Sequence, residues 1–226
     1  MIQHVIYLHG LASSPSSNKA TIFRAPFSEK GVNYLVPDLN VPDFEHLTLT
    51  AMLAKVAETI NTLPAALDEQ ADVALIGSSM GGLTALHFAD RYRGKEADRV
   101  AKLVLMAPAL DFMSNRRRSL GDEGLAAWQK SGNLPVFHYA YGGERNLHYG
   151  IVEDVQQYDS NAVTLELPIL IFHGTHDESV DYSGSVSFAA AHPNVTLRLL
   201  DSDHQLLDQT DTLWDEMATF LALQIL

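Results

Sequence analysis

Apolar residues fall along this chain in short blocks, separated by longer stretches with helical spacing. His4 to Leu8 is a β-branched and aromatic run closed by His9-Gly10, and it predicts a buried strand. A helix is expected over Lys19 to Lys30, interrupted at Pro26, then a second strand over Asn33 to Val36 that Pro37-Asp38 stops. Leu47, Met52, Leu53, Val56, Ile60 and Leu63 recur at helical spacing, so Leu47 to Leu63 reads as an amphipathic helix. Strands at Val73 to Ile76 and Leu103 to Met106 bracket a helix over Leu83 to Tyr92.

Asp111 to Glu166 breaks this rhythm. It holds no comparable β-branched run but does hold Trp128, Tyr139, Tyr141, Tyr149, Tyr158 and several glycines, and it is expected to be part helical, with a helix over Asp122 to Lys130. The rhythm then resumes with a strand at Ile169 to Phe172, a helix at Ser183 to Ala191, a strand at Thr196 to Leu200 and a last helix at Asp211 to Leu223. Strand and helix in alternation imply right-handed crossovers and helices on both faces of a parallel sheet. Runs such as Val73-Ala74-Leu75-Ile76 lack polar alternation, as strands buried on both sides do. The expected architecture is therefore α/β and doubly wound, with a mainly parallel sheet of about six strands. Residues 1–226 are expected to make a single domain, carrying residues 111–166 as a partly helical lid insertion.

Composition narrows the function classes. Hydrophobic content of 46% and charged content of 19% describe an ordinary globular chain rather than a disordered one. A net charge of -13 argues against general affinity for nucleic acid or anionic membrane, both of which need a basic face. With no cysteine there is no disulfide, no thiolate metal site and no cysteine nucleophile. Met1 to Leu8 lead straight into a strand without the features of a signal peptide, and no apolar run approaches the roughly 20 residues that span a bilayer. A cytoplasmic protein without a membrane anchor is expected.

The chemistry gathers around Gly77-Ser78-Ser79-Met80-Gly81, where an apolar strand stops and a helical pattern starts. A serine in that place projects its hydroxyl through a sharp turn, and small residues two before and two after let the backbone pack close. On its own the motif would also fit a helix-capping serine in a glycine-rich turn. Its partners later in the chain decide for a nucleophile at Ser79. A serine hydroxyl needs a base, and the base needs a group that fixes its tautomer. In a parallel sheet such groups lie on loops at the carboxyl ends of strands. Asp177 follows the strand ending at Phe172, with Asp181 as a rival on the same loop, and His204 follows the strand ending at Leu200. The order Ser79, Asp177, His204 is that of the α/β-hydrolase fold. Oxyanion donors are expected at the amides of Met80, after the nucleophile, and Leu11, after the first strand.

Other features carry less. His9 is expected to orient the loop after the first strand, with a satisfied loop histidine as the alternative. His173, His176 and Asp177 include metal-ligand types, but their spacing falls in a loop with no partner cluster, so no metal is expected. Arg116-Arg117-Arg118 reads as a solvated face, with contact to an anionic substrate as the alternative. The insertion's aromatics fit either an acyl pocket or a small core of their own. His46, His87, His138, His148 and His192 have no placement that argues for chemistry.

Tyr7 to Pro15, Gly77 to Gly82, His173 to Asp177 and Asp203-His204 together resemble small serine esterases of the α/β-hydrolase superfamily. The opening His-Gly-x-x-Ser-Ser-Pro loop and the Gly-Ser-Ser-x-Gly-Gly elbow are most similar to the bacterial YqiA-like esterases. The insertion, with Trp128 and Leu134-Pro135, is more similar to relatives that hydrolyse acyl glucuronides or acyl thioesters. The resemblance implies Ser79 as nucleophile, His204 as base, Asp177 as its partner, and Leu11 and Met80 as oxyanion donors. The sequence thus points to a serine hydrolase without a cofactor, acting on a small carboxylic ester of short or medium acyl length. An acyl thioester is the next candidate, cleavage of a carbon–carbon bond or an amide by the same triad is a further alternative, and a non-catalytic binding protein on the same fold is the rival class.

Overall fold

The computed structural model describes residues 1–65 and 71–223. In chain order its first half comprises β1 (His4–Leu8), α1 (Asn18–Glu29), β2 (Asn33–Leu35), α2 (Leu49–Asn61), β3 (Val73–Ser78), α3 (Met80–Arg91) and β4 (Val100–Met106). There follow α4 (Phe112–Ser131), β5 (Asn133–His138), β6 (Gly143–His148) and α5 (Gly150–Val155), and then β7 (Ile169–Gly174), α6 (Tyr182–Ala191), β8 (Val195–Leu200) and α7 (Thr210–Leu221). The main sheet has six strands in the order β2-β1-β3-β4-β7-β8, every neighbouring pair parallel. The chain steps from β1 outward to β2 and then returns past β1 to β3. That reversal opens a crevice at the carboxyl ends of β1 and β3, where doubly wound sheets bind ligands.

Each central strand is apolar on both faces because each face has helices to cover it. Ile6, Leu8, Leu75, Leu103, Leu105 and Ile171 pack with residues of α2, α3 and α6. Val5, Tyr7, Ile76, Val104, Met106 and Phe172 pack with Phe23 and Phe27 of α1 and with Leu213 and Met217 of α7. No helix among the described residues is long and apolar enough to cross a membrane.

The structure departs from the sequence expectation in three places. Pro26 does not interrupt α1. Phe23 and Phe27 on either side of it are buried, while Ile22, whose carbonyl loses its usual donor, lies on the exposed side of the helix. Between β4 and β7, α4 starts at Phe112 under an Asp111 cap and runs to Ser131, far beyond the expected Asp122 to Lys130, breaking direction at Gly121 (φ 67°). The same segment contains an antiparallel hairpin, β5–β6, which the sequence did not lead one to expect. Pro135 sits within it, as edge strands allow. An isolated two-stranded hairpin is marginal, and this one leans on the rest of the molecule. Tyr139 N donates to Ala12 O at 3.2 Å and His148 N to Glu45 O at 2.8 Å.

His87 of α3 ties the sheet layer to this segment. The Ser160 hydroxyl donates to Leu110 O at 2.7 Å, so the Ser160 oxygen accepts from His87 Nε2–H at 3.1 Å. Among the described residues Nδ1 is buried without a hydrogen-bond partner, so protonating it adds a buried donor that none of them accepts. Burial pushes the His87 pKa down to about 4. Between that value and the ordinary 6.5 the unfolded chain binds the extra proton. Stability is therefore full above about pH 6.5 and is lost as pH falls toward 4. We expect His87→Gln to remove about 2 kcal/mol of the stability difference between pH 7 and pH 4.5, read from urea midpoints. An unchanged difference would place the acid sensitivity elsewhere.

Candidate active site

β3 delivers Ser79 into the crevice. Its backbone is held at φ 55° and ψ -115°, a conformation costly for any residue with a side chain. Ser79 N–H donates to Met106 O at 2.9 Å, and Ser79 O accepts from Gly82, Leu83 and Ala109 N–H. The turn closes only because its flanks lack side chains. A Cβ on Gly77 would stand 2.2 Å from Gly81 O, and one on Gly81 would stand 2.0 Å from Leu8 O. The elbow thus lies directly on the end of β1, and α3 begins at Met80 rather than at the expected Leu83.

The loop after β1 faces the serine. A Cβ on Gly10 would come within 3.3 Å of Ser79 Cβ. Among the described residues neither the Leu11 nor the Met80 N–H has a hydrogen-bond partner, and both residues line the same cavity as Ser79. His9 is buried in this loop. Its Nε2 accepts from Leu39 N–H at 3.0 Å, so Nδ1 carries the proton and donates to Gly10 O at 2.9 Å. One imidazole thereby ties the loop to the strand-end beside it.

Asp177 and His204 come from the loops after β7 and β8. Gly174 permits the contact between those loops, because a Cβ there would meet Ser202 O at 2.3 Å. Asp177 Oδ1 accepts from Ser179 and Val180 N–H, both at 2.8 Å. Its Oδ2 accepts from His204 Nδ1–H at 2.6 Å. Burial alone would raise this carboxyl, but bonds from His173 and His204, the His204 charge and the Val180 N–H outweigh burial. They hold it well below the usual carboxylate range. Asp181, the rival on this loop, caps α6 by accepting from Ser183 N–H at 2.9 Å and does not reach His204.

His173 is a partner that sequence reading put only in a metal context. It is fully buried, and its Nε2–H reaches both Asp177 Oδ2 at 3.1 Å and Val180 O at 3.2 Å. Ser185 Oγ lies 2.8 Å from its Nδ1. His176 points away, exposed, to Asp201 at 2.7 Å, so the two rings do not converge. The available signal was position: His173 is the penultimate residue of β7, four before Asp177, where a side chain must point inward.

Ser79, His204, Leu11 and Met80 line one cavity of about 1110 Å³, roofed by Phe112 of α4 and by Phe137, Tyr139 and Tyr141 of the hairpin. Ser79 Oγ and His204 share this space without a hydrogen bond among the described residues, and such contacts commonly tighten only around a substrate. The insertion's aromatics divide. Trp128 is buried, donates to Leu147 O at 3.0 Å and packs edge-on against Tyr149, while the hairpin aromatics face the cavity. A second cavity of about 350 Å³, bordered by Asn61, Lys95, Glu96 and Arg99, lies at the amino ends of the strands and holds no such constellation.

A six-stranded parallel sheet flanked by helices, with a strained serine turn after β3, defines an α/β-hydrolase fold. Solved structures share it. The chain matches alpha/beta hydrolase domain-containing protein 10 from mouse at a TM-score of 0.77 and 19% identity, over 97% of this chain and 89% of that one. It matches Est1E from Butyrivibrio proteoclasticus at 0.76 and 22%, over 98% and 87%, and Est1E with ferulic acid bound at 0.77 and 22%, over 97% and 88%. No curated protein matches the sequence significantly. The chain belongs to the uncharacterised protein family UPF0227, whose family model spans residues 4–222.

Proposed function

We propose that this protein is a serine hydrolase that cleaves a carboxylic ester through an acyl-enzyme, with Ser79 as nucleophile and His204 as base. The observation that carries this is the 2.6 Å bond from His204 Nδ1–H to Asp177 Oδ2, in a cavity shared with the elbow serine. That bond commits the imidazole proton to Nδ1 and leaves the Nε2 lone pair for the Ser79 hydroxyl. Ser79 Oγ attacks the ester carbonyl as its proton passes to Nε2, and the Leu11 and Met80 amides hold the oxyanion. The carbon–oxygen bond to the alcohol then breaks, and the alcohol leaves with that proton. Water, deprotonated by His204, then attacks the acyl carbonyl, the acyl–Ser79 bond breaks to release the carboxylic acid, and the proton on His204 returns to Ser79 Oγ. A thioester would follow the same steps with a thiol as leaving group. The hairpin aromatics and Val136 offer the acyl chain an apolar wall. Est1E, whose structure was solved with ferulic acid bound, is a neighbour of the same fold.

The test is covalent labelling by a fluorophosphonate, followed by turnover of 4-nitrophenyl esters and matched thioesters of increasing acyl length. One probe should attach at Ser79, none to Ser79→Ala, with turnover peaking at short or medium chains. A folded, unlabelled wild type would favour a binding protein on this fold.

A further inference from the structure

The cavity differs in charge from the molecule around it. The chain carries 28 acidic residues against 15 Lys and Arg. Yet among the described residues no aspartate or glutamate lines the cavity, whereas Lys19 and Arg116 do. Lys19 has partners. Its Nζ donates to Gln205 O at 2.9 Å, and although burial brings its pKa down to about 8, Asp177 and Asp203 act in the opposite direction.

Arg116 has no such company. Its Nε is buried without a hydrogen-bond partner, and it forms no ion pair among the described residues. Burial alone acts on its guanidinium, disfavouring the charged form. Its neighbours in the arginine run behave otherwise: Arg117 pairs with Asp122 at 2.9 Å and Arg118 with Asp181 at 3.8 Å. Helical geometry separates the three, because residues three and four apart share a face. Phe112, Asn115 and Arg116 of α4 all line the cavity, and the guanidinium stacks over the Phe112 ring at 5.6 Å. Asn115 is 7% exposed, and its side-chain amide makes no hydrogen bond among the described residues.

A guanidinium drawn partly out of water costs free energy when none of the described residues supplies a counter-charge, and one carboxylate in the cavity wall would have relieved it. A ligand can supply that missing charge. The planar N–H fork of arginine fits the two oxygens of a carboxylate or phosphate, and an amide beside it adds a neutral donor. We infer that the substrate of this site carries an anionic group, a carboxylate or phosphate remote from the scissile ester, held by Arg116 and Asn115. This rests on the esterase reading of Ser79 and adds the substrate class.

Two ester pairs test it, one for each side of the scissile bond. Mono-4-nitrophenyl glutarate is compared with 4-nitrophenyl pentanoate, and 4-acetoxybenzoate with phenyl acetate. For at least one pair the wild type should favour the anionic member in kcat/KM, and Arg116→Gln should cut that ratio by about tenfold or more. Arg116→Lys should restore part of it, and Arg117→Gln, altered outside the cavity, should leave the ratio as in wild type. Competition by glutarate against inorganic phosphate separates the two anion sources. No Arg116-dependent preference in either pair overturns the inference while leaving the esterase intact. If instead nothing is hydrolysed, calorimetry on Ser79→Ala decides. Binding of the glutarate ester that Arg116→Gln abolishes keeps the anion site and sinks the esterase, and absence of such binding sinks both.

Discussion

Asp177→Asn is expected to lower kcat by about four orders of magnitude, whereas Asp181→Asn should change it less than about twofold. The direction follows from which way the new amide must turn. At position 177 the carbonyl oxygen is claimed by the Ser179 and Val180 N–H groups, each at 2.8 Å. The NH2 is then left facing His204 Nδ1, which sits 2.6 Å from that side of the carboxylate. A donor there forces the imidazole proton to Nε2, and the lone pair that should accept the Ser79 proton is lost. Fold and cavity survive, so the loss falls on the chemical step. Asp181 caps α6, and asparagine caps as well as aspartate, so its replacement leaves His204 undisturbed. Steady-state kinetics on both variants decides. Full activity in Asp177→Asn with loss in Asp181→Asn would reassign the histidine's partner.

Gly81→Ala should be severely destabilising, costing more than about 4 kcal/mol and lowering Tm by about 10 °C or more. The added methyl would lie 2.0 Å from Leu8 O and 2.8 Å from His9 O. Both are backbone atoms of β1 and its loop, so no rotamer change relieves the clash. Moving them apart would break the pairing that sets Leu8 opposite Gly77 in the sheet. Gly184→Ala provides the contrast. Its Cβ would meet nothing within 4 Å, and it lies in α6 with ordinary backbone angles. There alanine should stabilise by about 1 kcal/mol, because it narrows the unfolded ensemble and favours helix. Thermal melts of the two proteins read both effects, and a Gly81→Ala melt matching wild type would mean the elbow is looser than this packing implies.

Much of the layout was legible because its causes are local. Runs such as Ile169-Leu170-Ile171-Phe172 announce a doubly covered strand, and Gly77-Ser78-Ser79-Met80-Gly81 announces a turn that only small flanks permit. Where the reading failed, a distant surface had overruled a local preference. Pro26 is carried inside α1 by the burial of Phe23 and Phe27. The β5–β6 hairpin has little strand propensity and depends on Ala12 and Glu45, far away in the chain. Local pattern could not register either support.

The same division runs through the candidate site. Sequence alone determined the six-stranded parallel frame, the strained turn at Ser79 and the chain order of serine, acid and histidine, since each follows from residue types at short spacing. Only the tertiary structure chose Asp177 over Asp181 beside His204, placed His173 behind that carboxylate, and turned Arg116 inward while its two neighbours found acids outside. Those choices depend on where loops and a helix from separate parts of the chain meet. Burial and counter-charge are properties of such meetings, and no short stretch of sequence contains them.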